Sequence, residues 1–406
     1  MDREYAKAVV TDKGADALRC GHPWVFQGEI LGEDGCRDGE LVDVYTRRGR
    51  WMGTGFWNGR SRIRVRILSR NANDRFDEAF FRRRVRYALD YRWAVMGGDV
   101  AACRLVFGEA DGLPGLTVDR FEDVLVTEVL SLGMQKRRDL LYRLLREELE
   151  AREARVRVIY QRGDSPLLAK EGLDPEQGAY PGEGLDPDPD GHVRIRENGL
   201  VFDVDYIRGQ KTGFFLDQKY NRAAAARLAA GRRVLDCFTH TGAFALHCAA
   251  AGAEHVTAVD VSQEALDRAR ENARLNGLEG KVDFLRQDVF HLLTELARTG
   301  RRDYDYILLD PPAFTKSGET VENAFRGYKE INLRAMKLLP RGGYLATCSC
   351  SRFMTEELFR RMLREAAADA AVSLRQIQCR QQSPDHPILW GAPETNYLKF
   401  FLFQVV

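Results

Sequence analysis

Residues 342–354 read GGYLATCSCSRFM, an apolar run that ends in two thiols two positions apart, Cys348 and Cys350, each next to a serine. Such a pair can be ordinary core, a metal or redox pair, or a nucleophile held at the mouth of a site. Zinc is disfavoured because no second C-x-C and no His pair has ligand spacing. A redox role is disfavoured because C-x-C lacks the helix-start context of C-x-x-C. Most reduced cysteines are small buried hydrophobes, whereas a thiol of ordinary acidity, pKa about 8.5, already has a few per cent of reactive thiolate near neutrality. Core and nucleophile both stay open for Cys348 and Cys350.

A second set of chemical groups lies upstream. The runs RRVLDCF, HVTAVDV, VDFLRQDV and YDYILLDPP each end in an acid: Asp236, Asp260, Asp288 and Asp310. One acid after a strand is usually a helix cap, but four in succession point to a ligand. Asp260 is placed to accept both hydroxyls of a ribose, and Gln287 with Asp288 could read an adenine amino group. Gly242, in DCFTHTGAF, lets a turn approach a ligand closely, and the helix after it offers backbone donors. The loop lacks G-x-G-x-x-G, so it suits a nucleoside without a pyrophosphate better than a dinucleotide, and a nicotinamide oxidoreductase ranks behind the rivals named below.

These groups need a scaffold. After residue 192 five apolar strand-length runs alternate with helical stretches at 241–251, 262–276, 288–298 and 322–338, the pattern of a parallel sheet covered on both faces. Ser262 as cap, Glu264 in the first turn, a Leu266, Ala269 and Ala273 stripe and Gly277 as stop predict one helix in detail. VSLRQIQC and YLKFFLFQVV then predict an antiparallel pair with no helix between them. Residues 1–75 read as a small all-β module and 76–192 as a central α/β domain. In the latter, a helix over 76–95 carries Phe80, Phe81, Val85, Leu89 and Trp93 toward a core and its arginines toward solvent. Two strands, a helix over 134–150 and a strand VRVIYQR follow. The Gly-, Pro- and Asp-rich segment 172–192 is a loop or linker, and 193–406 is the last domain.

The chain has 406 residues, 44% hydrophobic and 30% charged, with a net charge of +1. This length predicts two or three domains, and the composition is that of a globular protein. No secretory leader and no run of 18 or so apolar residues is present, so neither export nor a membrane is expected. Eight cysteines without export imply reduced thiols and a cytoplasmic location. Arginines cluster in the first quarter. In RSRIRVRILSR, Ile63, Val65 and Ile67 alternate with Arg62, Arg64 and Arg66, so one face joins a core and the other shows three guanidinium groups. That face is either a solvated surface or, with Arg47, Arg48, Arg50, Arg60 and Arg70 nearby, a patch that tracks phosphates.

Taken in order, GHPWVFQGEI, EADGLPGLTVDRF, KTGFFLDQKYNR, VLDCFTHTGAF, LDPPAFTKS, CSCS and SPDHPILWGAPETNYLKFF resemble the bacterial large-subunit rRNA cytosine-C5 methyltransferases. These are class I S-adenosylmethionine-dependent enzymes with an N-terminal PUA domain. The resemblance covers nearly the whole chain. It implies an α/β fold with a doubly wound seven-stranded C-terminal sheet, an all-β PUA module and a small central α/β domain. It implies S-adenosylmethionine held by Asp236, Phe238, Thr241, Gly242, Asp260, Asp288, Asp310 and Gln218, with Pro311 beside the base. It assigns Cys350 as nucleophile and Asp310 as the group that binds the base, with no metal.

The partner it implies is large-subunit rRNA, gripped through Arg62, Arg64 and Arg66; a homodimer is one assembly the chain could form. Lys211 and Lys316 are either exposed charge or phosphate contacts, and His22 with Trp24 is a structural corner of the PUA module. Two rival readings remain. DPPAF also resembles the loop of enzymes that methylate exocyclic amino groups of adenine or guanine, which need no cysteine, and the chain could bind RNA without catalysis.

Overall fold

Residues 4–315 and 317–406 are described by the computed structural model, which divides into two compact units. Lys316 lies outside the described residues. The first unit comprises 1–195, 204–216 and 384–395, and the second 196–203, 217–383 and 396–406. Residues 1–75 and 76–192 thus fall in one unit, and 193–195, 204–216 and 384–395 join it.

In the second unit the apolar runs form seven strands: β1 (Arg233–Cys237), β2 (His255–Asp260), β3 (Val282–Arg286), β4 (Tyr306–Leu309), β5 (Tyr344–Ser349), β6 (Leu374–Arg380) and β7 (Lys399–Val405). Their order is β3-β2-β1-β4-β5-β7-β6. The first five run parallel, while β7 pairs antiparallel with both β5 and β6. All four residues of β4 are buried, as a strand covered on both faces requires. The order turns around between β1 and β4, and the carboxyl ends there are where a crevice for a ligand opens.

The expected helices are α2 (Ala243–Ala250), α3 (Gln263–Leu275), α4 (Val289–Thr299) and α5 (Val321–Leu338). In α3, Ser262 accepts the Ala265 N–H, and Leu266, Ala269 and Ala273 are buried. Two further helices were not read from the sequence, α1 (Lys219–Ala226) and α6 (Glu356–Asp369). α6 puts Phe359, Met362 and Leu363 into the core beside Ile307, Leu345 and Phe401. β6 and β7 pair as expected, but residues 381–398 separate them, so the connection is wide.

The first unit holds two sheets. Six strands between Ala6 and Ser69 form one, and five between Ala102 and Ala179 form the other. The N-terminal module carries one short helix, Asp12–Arg19, capped by Thr11. His22 and Trp24 form a corner: the Trp24 N–H donates to His22 Nδ1 at 3.2 Å, and Trp24 Nε1 donates to Glu109 at 2.7 Å. Residues 102–129 make three strands where two were expected, and the helix expected over 134–150 is broken into Leu132–Gln135 and Arg138–Glu150.

Two expectations about arginines are corrected. Arg66 does not face solvent; it is 8% exposed, and its guanidinium donates to Glu109 at 2.6 Å and Glu171 at 2.9 Å. Arg92, on the helix Glu78–Met96, is fully buried, donating to Asp111 and to the carbonyls of Arg104 and Asp385. Long-range carboxylate and carbonyl acceptors satisfy both cations, which period-two and helical patterns cannot reveal.

Candidate active site at the carboxyl ends of the sheet

The loop after β1 is bent by unusual backbone. Phe238 and His240 sit at φ of 64° and 51°, and Gly242 at 83°. Left-handed conformations at non-glycine residues cost of order 1 kcal/mol each and persist where packing over-determines them. Here the ties are visible. Asp236 Oδ2 accepts the Thr239 hydroxyl at 2.6 Å and the Ala245 N–H at 3.0 Å. Asp260 Oδ2 accepts the His240 N–H at 2.9 Å, and Oδ1 accepts that of Ser262 at 3.0 Å. Asp260 therefore locks the β1 loop to the end of β2. A Cβ on Gly242 would come within 3.0 Å of the Ala269 Cβ, so the turn lies against α3 with no room for a side chain. Gly242 also offers no side-chain oxygen to the first turn of α2. The Thr241 carbonyl accepts from Asn272 at 3.1 Å.

At the end of β4, Asp310 Oδ1 accepts from Gln218 Nε2 at 3.0 Å, and Gln218 Oε1 accepts from Asn221 at 2.7 Å. Burial pushes the Asp310 carboxyl up to about 6, and the charge of Asp217 adds to the effect. Burial likewise lifts Asp236 to about 7, with further upward pressure from Asp310 and Asp260. Asp236 Oδ1 and Asp217 Oδ1 are buried with no hydrogen-bond partner. Arg222, the cation that most favours ionised Asp310, already donates to both oxygens of Glu197, at 2.7 and 2.9 Å. A cluster of acids with idle acceptors and little positive charge suits a ligand that is itself cationic and brings donors. A sulfonium with an α-ammonium group is such a ligand, so these residues fit S-adenosylmethionine.

The two thiols are no longer equivalent. Cys348, opposite Phe400 in β7, is 1% exposed; burial and the neighbouring Asp310 carboxylate push its thiol well up, while it hydrogen-bonds Gln218 and Asp310. Cys350 lies just past the end of β5 and is half-buried. Its neighbours are pinned from several sides. Ser349 Oγ donates to the Tyr328 hydroxyl at 3.1 Å, and Ser351 Oγ donates to the Thr315 carbonyl, on the loop that follows Asp310, at 2.9 Å. Lys399 Nζ donates to the Ser351 carbonyl at 2.5 Å.

Asp236, Asp260, Asp310, Gln218, Phe238 and Gly242 therefore gather around the β1 and β4 ends. Phe238 packs edge-on against Phe314 at 6.4 Å, and Pro311 is buried. Asp288 is more peripheral, an exposed cap that accepts the His291 N–H at 2.9 Å. Gln287 Nε2 donates to Glu295 at 2.9 Å. In the first unit, Arg62 is exposed, Arg64 is turned onto the carbonyls of Asn58 and Ser61, and Lys211 is exposed.

Sequence reasoning missed Asp217, Asn221, Tyr328 and Lys399. Of these, Lys399 left a signal, a lone charge in the apolar strand YLKFFLF. Among the described residues no group of three or more His, Cys, Asp or Glu could hold a metal ion. No helix there is long and apolar enough to cross a membrane.

The chain resembles known proteins along most of its length. The sequence pattern of the S-adenosylmethionine-dependent methyltransferase family matches residues 116–404, and that of the PUA-like domain matches 8–70. Ribosomal RNA large subunit methyltransferase I of Klebsiella pneumoniae (strain 342) is 38% identical over 408 residues, covering all of both chains. The protein of the same name from Aeromonas hydrophila subsp. hydrophila is 42% identical over 382 residues, 93% of this chain and 94% of its own. A methyltransferase crystallised with SAH superposes with a TM-score of 0.83 at 20% identity, covering 98% of this chain and 99% of that one. A family pattern running through most of the chain, together with relatives of matching length at about 40% identity, makes the protein a member of the S-adenosylmethionine-dependent methyltransferases, an enzyme with a PUA-like domain ahead of its catalytic one and S-adenosylmethionine as its cofactor.

Proposed function

We propose that this methyltransferase acts on carbon 5 of a cytosine in large-subunit rRNA, through an adduct with Cys350. The names of its full-length relatives supply the rRNA. The observation that carries the chemistry is the contrast between the two thiols: Cys348 is sealed and hard to ionise, while Cys350 is partly open, on a backbone pinned through Ser349 and Ser351. Carbon 5 of cytosine is too weak a nucleophile to take a methyl group unaided. A Cys350 thiolate that bonds to carbon 6 converts the ring into an enamine, whose electrons reach carbon 5.

Asp310, with a pKa raised to about 6, can hand a proton to ring nitrogen 3 as the carbon–sulfur bond forms. S-adenosylmethionine, when bound, supplies an electrophilic methyl group to that carbon. Loss of the carbon-5 proton to a base, rupture of the carbon–sulfur bond and return of the nitrogen-3 proton to Asp310 restore the thiolate, the acid and the aromatic ring. Asp236, Asp260, Gln218 and Gly242 hold the cofactor in this reading, with Phe238, Thr241 and Asp288 at its edges. The target base must be unpaired or flipped to reach a pocket at a sheet edge. The module of residues 1–75, with Arg62 as its outward cation, grips the RNA, and the reaction takes place in the cytoplasm, where thiols stay reduced.

The test is a large-subunit rRNA fragment carrying 5-fluorocytidine, in which fluorine cannot leave as the proton does. A denaturation-resistant protein–RNA complex is expected for the wild type and Cys348→Ala and should be lost in Cys350→Ala. Turnover by Cys350→Ala would overturn the proposal and favour methylation of an exocyclic amino group.

A further inference from the structure

Lys399 is a lysine in an unusual place. It opens β7 directly opposite Ser349, the residue before Cys350, and is 4% exposed. Its Nζ donates to two backbone carbonyls, Ser351 at 2.5 Å and Tyr397 at 2.8 Å. Among the described residues no carboxylate lies within ion-pair distance of it. A buried ammonium with only neutral acceptors is costly unless an anion is near.

Two anionic groups act on it, Cys350 and Glu356, both favouring its charged form against a burial that draws its pKa down to about 8. Glu356, on α6, is already engaged by Arg360 at 2.8 Å. Cys350 precedes Ser351, whose carbonyl Lys399 holds, so it is the counter-charge tied to the same backbone. Cys348 on β5 and Tyr328 on α5 also sense Cys350, and a thiolate there disfavours ionisation of both. Lys399, which holds the carbonyl next along the chain from Cys350, is thus a cation that favours a thiolate there.

We propose that Lys399 is a positioning residue for Cys350: its ammonium stabilises the Cys350 thiolate and, through the Ser351 carbonyl, holds the backbone that carries it. This rests on Cys350 being the nucleophile, and it names a cation that supports its thiolate. The pair is reciprocal, since whatever Lys399 does for the thiolate, the thiolate does for the ammonium.

The experiment follows iodoacetamide alkylation of the Cys350 peptide by mass spectrometry from pH 6 to 10, without cofactor or RNA. In Lys399→Met the midpoint is expected to move up by at least about one pH unit, lowering the rate at pH 7 about tenfold, while Lys399→Arg keeps the wild-type midpoint. A lysine that only braced the fold would change melting temperature and leave the midpoint alone, and an unchanged midpoint in folded Lys399→Met overturns the proposal. If that variant does not fold, competitive acetylation of Lys399 decides instead. Its midpoint should fall in Cys350→Ala relative to wild type, and an unchanged midpoint again refutes the pairing. Neither readout uses methyl transfer, so failure of the fluorocytidine trap and failure of this pairing remain distinguishable.

Discussion

Replacing Asp310 by Asn tests the electrostatics of the site without any ligand. Its carboxyl titrates near 3.8 when unfolded and near 6 when folded, raised first by burial and then by Asp217. A carboxyl whose folded value is raised favours the folded state while protonated. That contribution is full below about pH 3.8 and is lost as the pH rises through 6. Roughly two pH units at about 1.4 kcal/mol each make this a difference of about 3 kcal/mol between acid and neutral solution.

The amide introduced by Asp310→Asn would stay neutral throughout, could still accept from Gln218 Nε2, and would spare Asp217 a second negative charge nearby. Urea unfolding of wild type and Asp310→Asn, without cofactor at pH 4 and pH 8, should give similar stabilities at the lower pH. At the higher pH the variant should be more stable, by up to about 3 kcal/mol. Methyl transfer should be lost in the same protein, a trade of activity for stability common at functional sites. Parallel pH profiles for the two proteins, or a variant less stable at pH 8, would refute the argument that this carboxylate is held against its own solvation.

Three further outcomes follow from the same geometry. A cationic cofactor favours the ionised form of Asp236, whose pKa stands near 7. Its affinity should therefore rise about tenfold from pH 5 to pH 8 with release of protons, and calorimetry in buffers of different ionisation heat would detect it; a flat profile counts against the acid cluster as the cofactor site. Gly242→Ala must accommodate a φ of 83° and a 3.0 Å contact with Ala269. It should lower stability by about 1–2 kcal/mol and weaken cofactor binding, to be read by thermal melting with and without SAH. Arg66→Met strands the carboxylates of Glu109 and Glu171 and should cost about 3 kcal/mol, whereas Arg62→Ala should leave the melting temperature alone and reduce rRNA affinity in a filter-binding assay.

Much of the catalytic unit was legible along the chain because its signals are local. β1 to β5 are continuous apolar runs bounded by turns, and α3 announces itself through Ser262, its alanine stripe and Gly277. The acids stand at strand ends because they directly follow the apolar residues in sequence. α1 escaped notice because it is short and alanine-rich, whereas α6 carries Phe359, Met362, Leu363, Ala366 and Ala367 at helical spacing, so its periodicity was legible.

Cys348 and Cys350 have the same composition and spacing. Only the pairing of Cys348 with Phe400 and the end of β5 one residue later make one thiol buried and the other accessible. Arg66 alternates like Arg62 and Arg64, but its carboxylate partners lie 43 and 105 residues away. Lys399 meets the backbone beside Cys350 across 48 residues. Periodicity records which face of an element a side chain takes. The ionisation of a carboxyl, a thiol or an ammonium depends on how completely water is removed and which charge is brought near, and both are settled by residues distant in the chain.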